Sequence, residues 1–310
     1  TKKTDKGNVI VDEDVLSTID MDEAKLISEY LLLQKRHTQI ASWVEAVKTD
    51  GRVHGRVLTL RTVTGRMAHT SPNMAQVPAV YSPFGKECRS CWTVQNPETH
   101  SLVGTDASGL ELRGLAHFMD DQNFVNEILN GDVHTANQKM AGLQNRDQAK
   151  TFIYALMYGA GAAKIGLIVG GDYKTGENLI NKFMSNMPKF NLLKNKLTKA
   201  SESGMIRGLD GRLLHIRSEH ASLNTLIQGS GAVICKQWLV QMIDKIQESG
   251  VDAKLVASVH DEYQFEVAND DTEKFGEITN TAIKEVQDIY DLKCPLDSEF
   301  KIGKNWAETH

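Results

Sequence analysis

Apolar residues first recur at helical spacing between residues 22 and 48, where Leu26, Ile27, Tyr30, Leu31 and Leu33 fall three or four apart and predict a helix. Residues 52 to 60 read as a strand or one arm of a hairpin, and the proline-bearing "TSPNMAQVPAVYSPFG" beyond them predicts a loop-rich segment. A short apolar strand at 101 to 106 runs into "ASGLELRGLAHFM", where Leu110, Leu112, Leu115 and Phe118 suggest a helix. From 124 to 200 the period is helical, broken at "YGAGAAKIG" and "GGDYKTG". "GLDGRLLHI" carries the Asp-Gly signal of a hairpin. A long helix over 221 to 248, a hairpin at 255 to 267 and a helix over roughly 271 to 290 complete the chain. Strands near both ends with helices between them predict an α+β fold, a sheet domain interrupted by a helical lobe.

The late hairpin, "LVASVHDEYQFEV", holds the first candidate chemistry. Tyr263, Phe265 and Val267 alternate with Gln264 and Glu266, as in a half-buried strand, so His260, Asp261 and Glu262 sit where two strands turn on each other. Asp106 ends the apolar strand at 101 to 106 in the same way. If those strands are neighbours, two carboxylates converge, and two such groups share a proton or bind a hard cation. Carboxylate-only ligation points to magnesium and to a phosphoryl transfer with its attacking and leaving oxygens held in line. A glycosidase acid pair remains open on these two residues alone. In "NRDQAKTFIYALMYGAG", Arg146, Lys150, Tyr154 and Tyr158 follow at steps of four and form one helix stripe, with Asn145 as the N-cap and Gly159 as the stop. Two cations followed by two aromatics suit a ligand with phosphates at one end and a base and sugar at the other.

The bulk numbers leave this picture standing. At 310 residues the chain exceeds one average domain; 41% hydrophobic and 24% charged residues are ordinary globular composition. No run approaches the ~20 apolar residues of a membrane span. The opening "TKKTDKGNVIVDED" lacks a signal core and an initiating Met, so the expectation is a soluble intracellular protein cut from something longer. Cys88 and Cys91 form a C-x-x-C without a second pair, which predicts reduced structural thiols. The net charge of −5 argues against nucleic acid, but "GRVHGRVLTLRTVTG" with Arg66 holds four arginines and no acid, and residues 178 to 201 hold five lysines and no acid.

"DASGLELR", "RDQAKTFIYALMYG" and "VHDE" resemble, in order, motifs A, B and C of the family A (Pol I-type) DNA polymerases. "VTGRMAHTSPNMAQVP", "GDVHTANQ" and "LNTLIQGSGAVICK" resemble flanking segments of that family, and "LELRGLAHFM" with the closing "GKNWA..H" is most similar to replicative polymerases of T-odd short-tailed phages. The resemblance runs over nearly the whole chain. It implies a right-hand architecture: an antiparallel palm formed by residues 1 to 115, with the end of the thumb, and by 219 to 310, and a helical fingers subdomain at 116 to 218. Most of the thumb and the 3′–5′ exonuclease would precede Thr1, together with any docking site for replisome proteins.

The same resemblance implies roles. Asp106, Asp261 and the carbonyl of Ala107 would hold two Mg2+ ions, with Glu262 as a supporting acid. Arg146 and Lys150 would grip the triphosphate of an incoming dNTP, Lys150 also protonating the leaving group, with His134, ahead of a helix starting near Thr135, as a further contact. Glu111 and Tyr158 would exclude a ribose 2′-hydroxyl, and Tyr154 stands where a hydroxyl makes the family tolerant of dideoxynucleotides. Arg66, Gln228 and Asn224 would read the minor groove of primer–template DNA, and His260 would orient the primer end. The activity implied is template-directed DNA synthesis in the cytoplasm of an infected bacterium, with no membrane partner. A single-subunit RNA polymerase and a primer–template-binding fragment with little activity are the rivals.

Overall fold

The computed structural model of the protein describes Lys3 and residues 7 to 310, the side chain of Asp14 apart. It divides into two compact units, one of residues 1–57 and 69–89, the other of 58–68 and 90–310.

In the first unit, α1 (Glu13–Ser17) begins on Asp12, whose carboxylate accepts from the Val15 amide at 2.9 Å. The helix expected over 22 to 48 is α2 (Asp22–Ala46), with Asp22 and Glu23 in its first turn, where the helix dipole favours acids. Its apolar stripe is not a core face: Leu26, Ile27, Tyr30, Leu31 and Leu33 are exposed, and Ala24 and Trp43 are the buried positions. Local propensity and the acidic first turn, more than burial, account for this helix. Short strands β1 (Arg56–Leu58) and β2 (Ala68–Thr70) pair with each other. The loop-rich stretch then runs to α3 (Gly85–Ser90), pinned by Gln39 donating to the Gln76 carbonyl at 2.8 Å and Arg89 to the Pro78 carbonyl at 3.1 Å.

The second unit opens with β3 (His100–Ala107) and passes into seven helices: α4 (Leu110–Met119), α5 (Gln122–Asn130), α6 (Val133–Ala141), α7 (Arg146–Met157), α8 (Ala162–Ile168), α9 (Tyr173–Asn186) and α10 (Pro188–Ser201). A hairpin of β4 (Met205–Arg207) and β5 (Leu213–His215) follows, then α11 (Ser222–Ser249). The sheet resumes with β6 (Ala253–Val259) and β7 (Glu262–Ala268), continues through α12 (Thr272–Ile289), and closes with β8 (Ser298–Gly303). Strands β6, β7, β3 and β8 lie side by side in that order, all pairs antiparallel. The mixed α+β fold expected from the pattern is the fold observed. The last strand, in the short "SEFKIG", is an element that the residue pattern was not read to contain; it pairs with β3.

This unit has two cores. The helical one gathers residues of α4 to α10 around Phe152, Phe183 and Phe190, which meet edge-on at 5.3 and 5.5 Å. The sheet core packs Val103, Tyr263, Phe265 and Val267 against Trp238 and Met242 of α11 and Phe275, Ile283 and Val286 of α12. Because side chains alternate along a strand, Asp106, Glu262, Gln264 and Glu266 fall on the opposite face. One expectation needs correcting there. Strand β7 is buried on both faces, not one, because Trp306 and Thr309 of the closing segment lie across its polar side.

Candidate active site

In the antiparallel register, Asp106 of β3 stands directly opposite Glu262 of β7, and the Ala107 amide donates to the Asp261 carbonyl at 3.1 Å. The two strands expected to be neighbours therefore are, and Asp106 and Asp261 come together at one end of the sheet. The β6–β7 connection is two residues long, with His260 at a φ of 58°. A left-handed φ at the first turn position is where glycine normally sits, so a histidine here keeps its side chain against a backbone preference.

The charges are unbalanced. The Asp106 side chain reaches solvent, yet its carboxyl is pushed up to about 7, first by partial burial and then by the charges of Asp261 and Glu262. Glu299, opposite Asp106 on β8, adds to the same effect. Among the described residues no cluster of three or more His, Cys, Asp and Glu forms a complete metal cage. Two solvent-facing carboxylates that repel one another are nevertheless a fit for Mg2+, which takes few protein ligands and completes its shell with substrate oxygens and water. Glu262 is differently placed: it is buried, and its Oε1 accepts from Trp306 Nε1 and from Gln264 Nε2 while its Oε2 lies 2.9 Å from His310 Nδ1.

Helix α7 presents the expected stripe. Asn145 caps it, accepting from the Gln148 amide at 2.9 Å, and Tyr158 closes it before Gly159, whose φ is 80°. Arg146, Lys150 and Tyr158 are exposed, Tyr154 is half-buried, and the two tyrosine rings lie 6.4 Å apart. His134 belongs to α6 itself and not to the loop ahead of it, because Asp132 caps that helix and starts it two residues earlier than expected. Its ring is 6.3 Å from that of Tyr154, and burial, followed by the charges of Arg146 and Lys150, lowers its pKa. Asp132 also accepts from Arg146 Nε at 2.7 Å, a clasp that the residue pattern did not suggest; its Arg146 bond holds the carboxyl well below the usual range.

Between stripe and acids lies Glu111. Its Oε2 accepts from Tyr158 Oη at 2.7 Å and its Oε1 from Arg66 at 3.2 Å. Burial, then the Glu111 bond, drives the Tyr158 hydroxyl far up, so it stays a donor. The Asp261 charge acts on Tyr154, and that of Arg66 on His260. Asn224 and Gln228 stand one turn apart on α11, both half-buried, and the Asn224 Oδ1 is buried with no hydrogen-bond partner among the described residues. The fold thus gathers Asp106, Asp261, Glu262, Glu111, Arg66, Tyr154, Tyr158 and His260 around one end of the sheet, with Arg146, Lys150 and His134 further along the α6–α7 pair. Residue pattern missed Asp132, Gln264, Trp306 and Thr309; an Asp just ahead of a helix was the available signal for the first. Cys88, Cys235 and Cys294 are buried and Cys91 is exposed.

Comparison with known proteins bears on this arrangement. The sequence model described as DNA polymerase family A matches residues 1–308. The DNA-directed DNA polymerase of Enterobacteria phage T3 is 40% identical over 351 aligned residues, and that of Escherichia phage T7 is 41% identical, in each case covering 100% of this chain and 50% of the relative. The chain therefore spans about half the length of these relatives. Among solved structures, the POL domain of Pol1 from M. smegmatis, in complex with DNA primer-template and dNTP, superposes with a TM-score of 0.88 at 22% identity, covering 99% of this chain and 58% of that one. At that identity the likeness speaks for the fold. Matched from end to end by the family's sequence model, the chain belongs to DNA polymerase family A.

Proposed function

We propose that this chain carries template-directed DNA synthesis, adding a dNTP to a primer 3′-hydroxyl and releasing pyrophosphate. The observation that carries the reading is the convergence of Asp106 and Asp261 at one sheet end, with the Asp106 carboxyl lifted to about 7 by burial and then by the charges of Asp261 and Glu262. Asp106, Asp261 and the Ala107 carbonyl are the ligands for two Mg2+ ions. When bound, such ions acidify the primer hydroxyl and neutralise charge on the leaving pyrophosphate.

The other residues bind and orient. Arg146 and Lys150 hold the β- and γ-phosphates, and Lys150 supplies the proton that the leaving group takes up. His134, kept neutral by burial and by its cationic neighbours, donates to the same phosphates. Glu111, braced by Arg66 and Tyr158, fills the space that a ribose 2′-hydroxyl needs. Tyr154 meets the sugar from the other side and permits dideoxynucleotides. Arg66, Asn224 and Gln228 test the primer-terminal pair at purine N3 and pyrimidine O2, acceptors that all Watson–Crick pairs share. His260 orients the primer end. Residues 1–115 and 219–310 act as palm and 116–218 as fingers, and no residue of this chain is assigned to 3′–5′ hydrolysis. The phage relatives' description as DNA-directed DNA polymerases supports the reading, as does the primer-template and dNTP held by the M. smegmatis protein.

Primer extension with dNTPs and rNTPs given separately tests this. Extension with dNTPs alone, abolished in Asp261→Ala, is expected. Extension with rNTPs would overturn the assignment of Glu111, and DNA binding without extension would make the chain a primer–template-binding fragment.

A further inference from the structure

On the polar face of the sheet, the one carrying the acids, residues 303 to 310 cover β7 and leave Asp106 open to solvent. Trp306 is buried there and donates through Nε1 to Glu262 Oε1, which also accepts from Gln264 Nε2 at 2.6 Å. His310 Nδ1 meets Glu262 Oε2 at 2.9 Å. Thr309 donates to Gln264 Oε1 at 2.7 Å and so steadies the amide that steadies Glu262. Close approach is possible because β3 has Gly104 opposite Gln264: a Cβ there would lie 2.2 Å from the Thr309 carbonyl oxygen and 2.4 Å from Gln264 Nε2. The segment is anchored at its start by Lys304, which donates to the Pro97 carbonyl at 2.7 Å, and by the Trp306 amide, which donates to the Trp92 carbonyl at 2.9 Å.

These contacts matter for one reason of position. Glu262 is directly opposite Asp106, so their Cβ atoms are about 5 Å apart and a freely rotating Glu262 reaches whatever Asp106 binds. Both of its oxygens are instead engaged on the closing segment and Gln264. We propose that residues 303–310 are a positioning element: Trp306 and His310 hold the Glu262 carboxylate back, so that a cation is received by Asp106 and Asp261 with open coordination positions left for substrate oxygens. This rests on the reading of Asp106 and Asp261 as cation ligands. A mere covering role for the segment would keep the sheet dry without controlling ligation, and the two differ in what Glu262 does when released.

The test uses the full chain without DNA and Mn2+ as the probe, titrated by the loss of its free-ion electron paramagnetic resonance signal. Extension rates are measured beside it. His310→Ala, at a partly exposed site, and Trp306→Phe, which removes only the donor, are expected to bind Mn2+ several-fold more tightly because Glu262 becomes an additional ligand, and to extend primers more slowly. Both effects should vanish in a Glu262→Gln background. His310→Asn, whose amide nitrogen sits where Nδ1 does, should restore wild-type behaviour. Mn2+ affinity that is unchanged or weaker, or effects that persist with Glu262→Gln, would overturn the positioning role while leaving the cation reading intact. Wild-type protein that fails to bind Mn2+, or binds it equally well as Asp261→Asn, would overturn the cation reading and this proposal with it.

Discussion

Asp261 follows a histidine whose left-handed φ of 58° costs on the order of 1 kcal/mol or more, a strain that proteins tolerate where a side chain must be aimed. Replacing Asp261 by Ala removes one of two carboxylates from the converging pair. Loss of ~4 kcal/mol of transition-state stabilisation, about a thousandfold in kcat, is expected in single-turnover extension. Tyr158→Phe leaves Glu111 braced by Arg66 alone. A lost hydrogen bond to a charged group is worth about 1.5–3 kcal/mol, so the ratio of kcat/KM for dNTP over rNTP should fall by roughly 10- to 100-fold. Asp106 makes a pH prediction for the cation-free protein. Its carboxyl titrates near 4 when unfolded and at about 7 when folded, so the folded state holds the proton longer. The stability this confers is complete below the unfolded value and is lost as pH rises through about 7. Thermal melts in chelator at pH 5 and pH 8 should show the fall, and Asp106→Asn should flatten it.

Helix α7 is legible from its own residues. Asn145 at its start, the four-residue steps of the stripe and Gly159 at its end are local signals, each read without knowing what the helix packs against. Asn145→Ala should cost about 1 kcal/mol of stability by loss of the cap. Because the helix carries Arg146 and Lys150, the KM for dNTP should rise with it in steady-state extension. Gly159 is more demanding, since a Cβ there would stand 2.2 Å from the His220 carbonyl oxygen on a backbone at φ 80°. The Asp132–Arg146 clasp could not be read in this way: it joins the N-cap of α6 to the first residue of α7, and its geometry depends on how α6 lies against α7. Helix α2 shows the converse. Its period is plain in the residues, yet the stripe that reveals it is exposed, because periodicity reports what a helix is able to bury and not what it does bury.

Within the second unit, the acids are delivered by a sheet whose far side rests on α11 and α12. Trp238 is the centre of that support: it is fully buried, donates to the Thr279 carbonyl at 2.9 Å and meets the Tyr263 ring edge-on at 5.4 Å. Tyr263 stands next to Glu262 in the chain, so packing behind the sheet and chemistry in front of it share one strand. Trp238→Ala should cost ~3–5 kcal/mol, measured by denaturant unfolding, and should reduce extension even though Trp238 has no part in the proposed chemistry. The unit's second core, around Phe152, Phe183 and Phe190, carries α6 and α7, so the cations Arg146 and Lys150 and the acids stand on separately packed supports.

Residues alone were enough for the long helices, the cap of α7, the two acid-bearing strand ends and the polymerase motifs, because periodicity, capping and turn chemistry act over a few neighbouring positions. The pairing of β3 with β7, the strand character of 298–303, the bracing of Glu111 from Arg66 and Tyr158, and the closing segment over Glu262 all join positions some 45 to 200 residues apart. Nothing local encodes such partnerships. They exist because burying one face of the sheet on α11 and α12 leaves the other to be covered, and Gly104 opens the space in which the chain's last residues cover it.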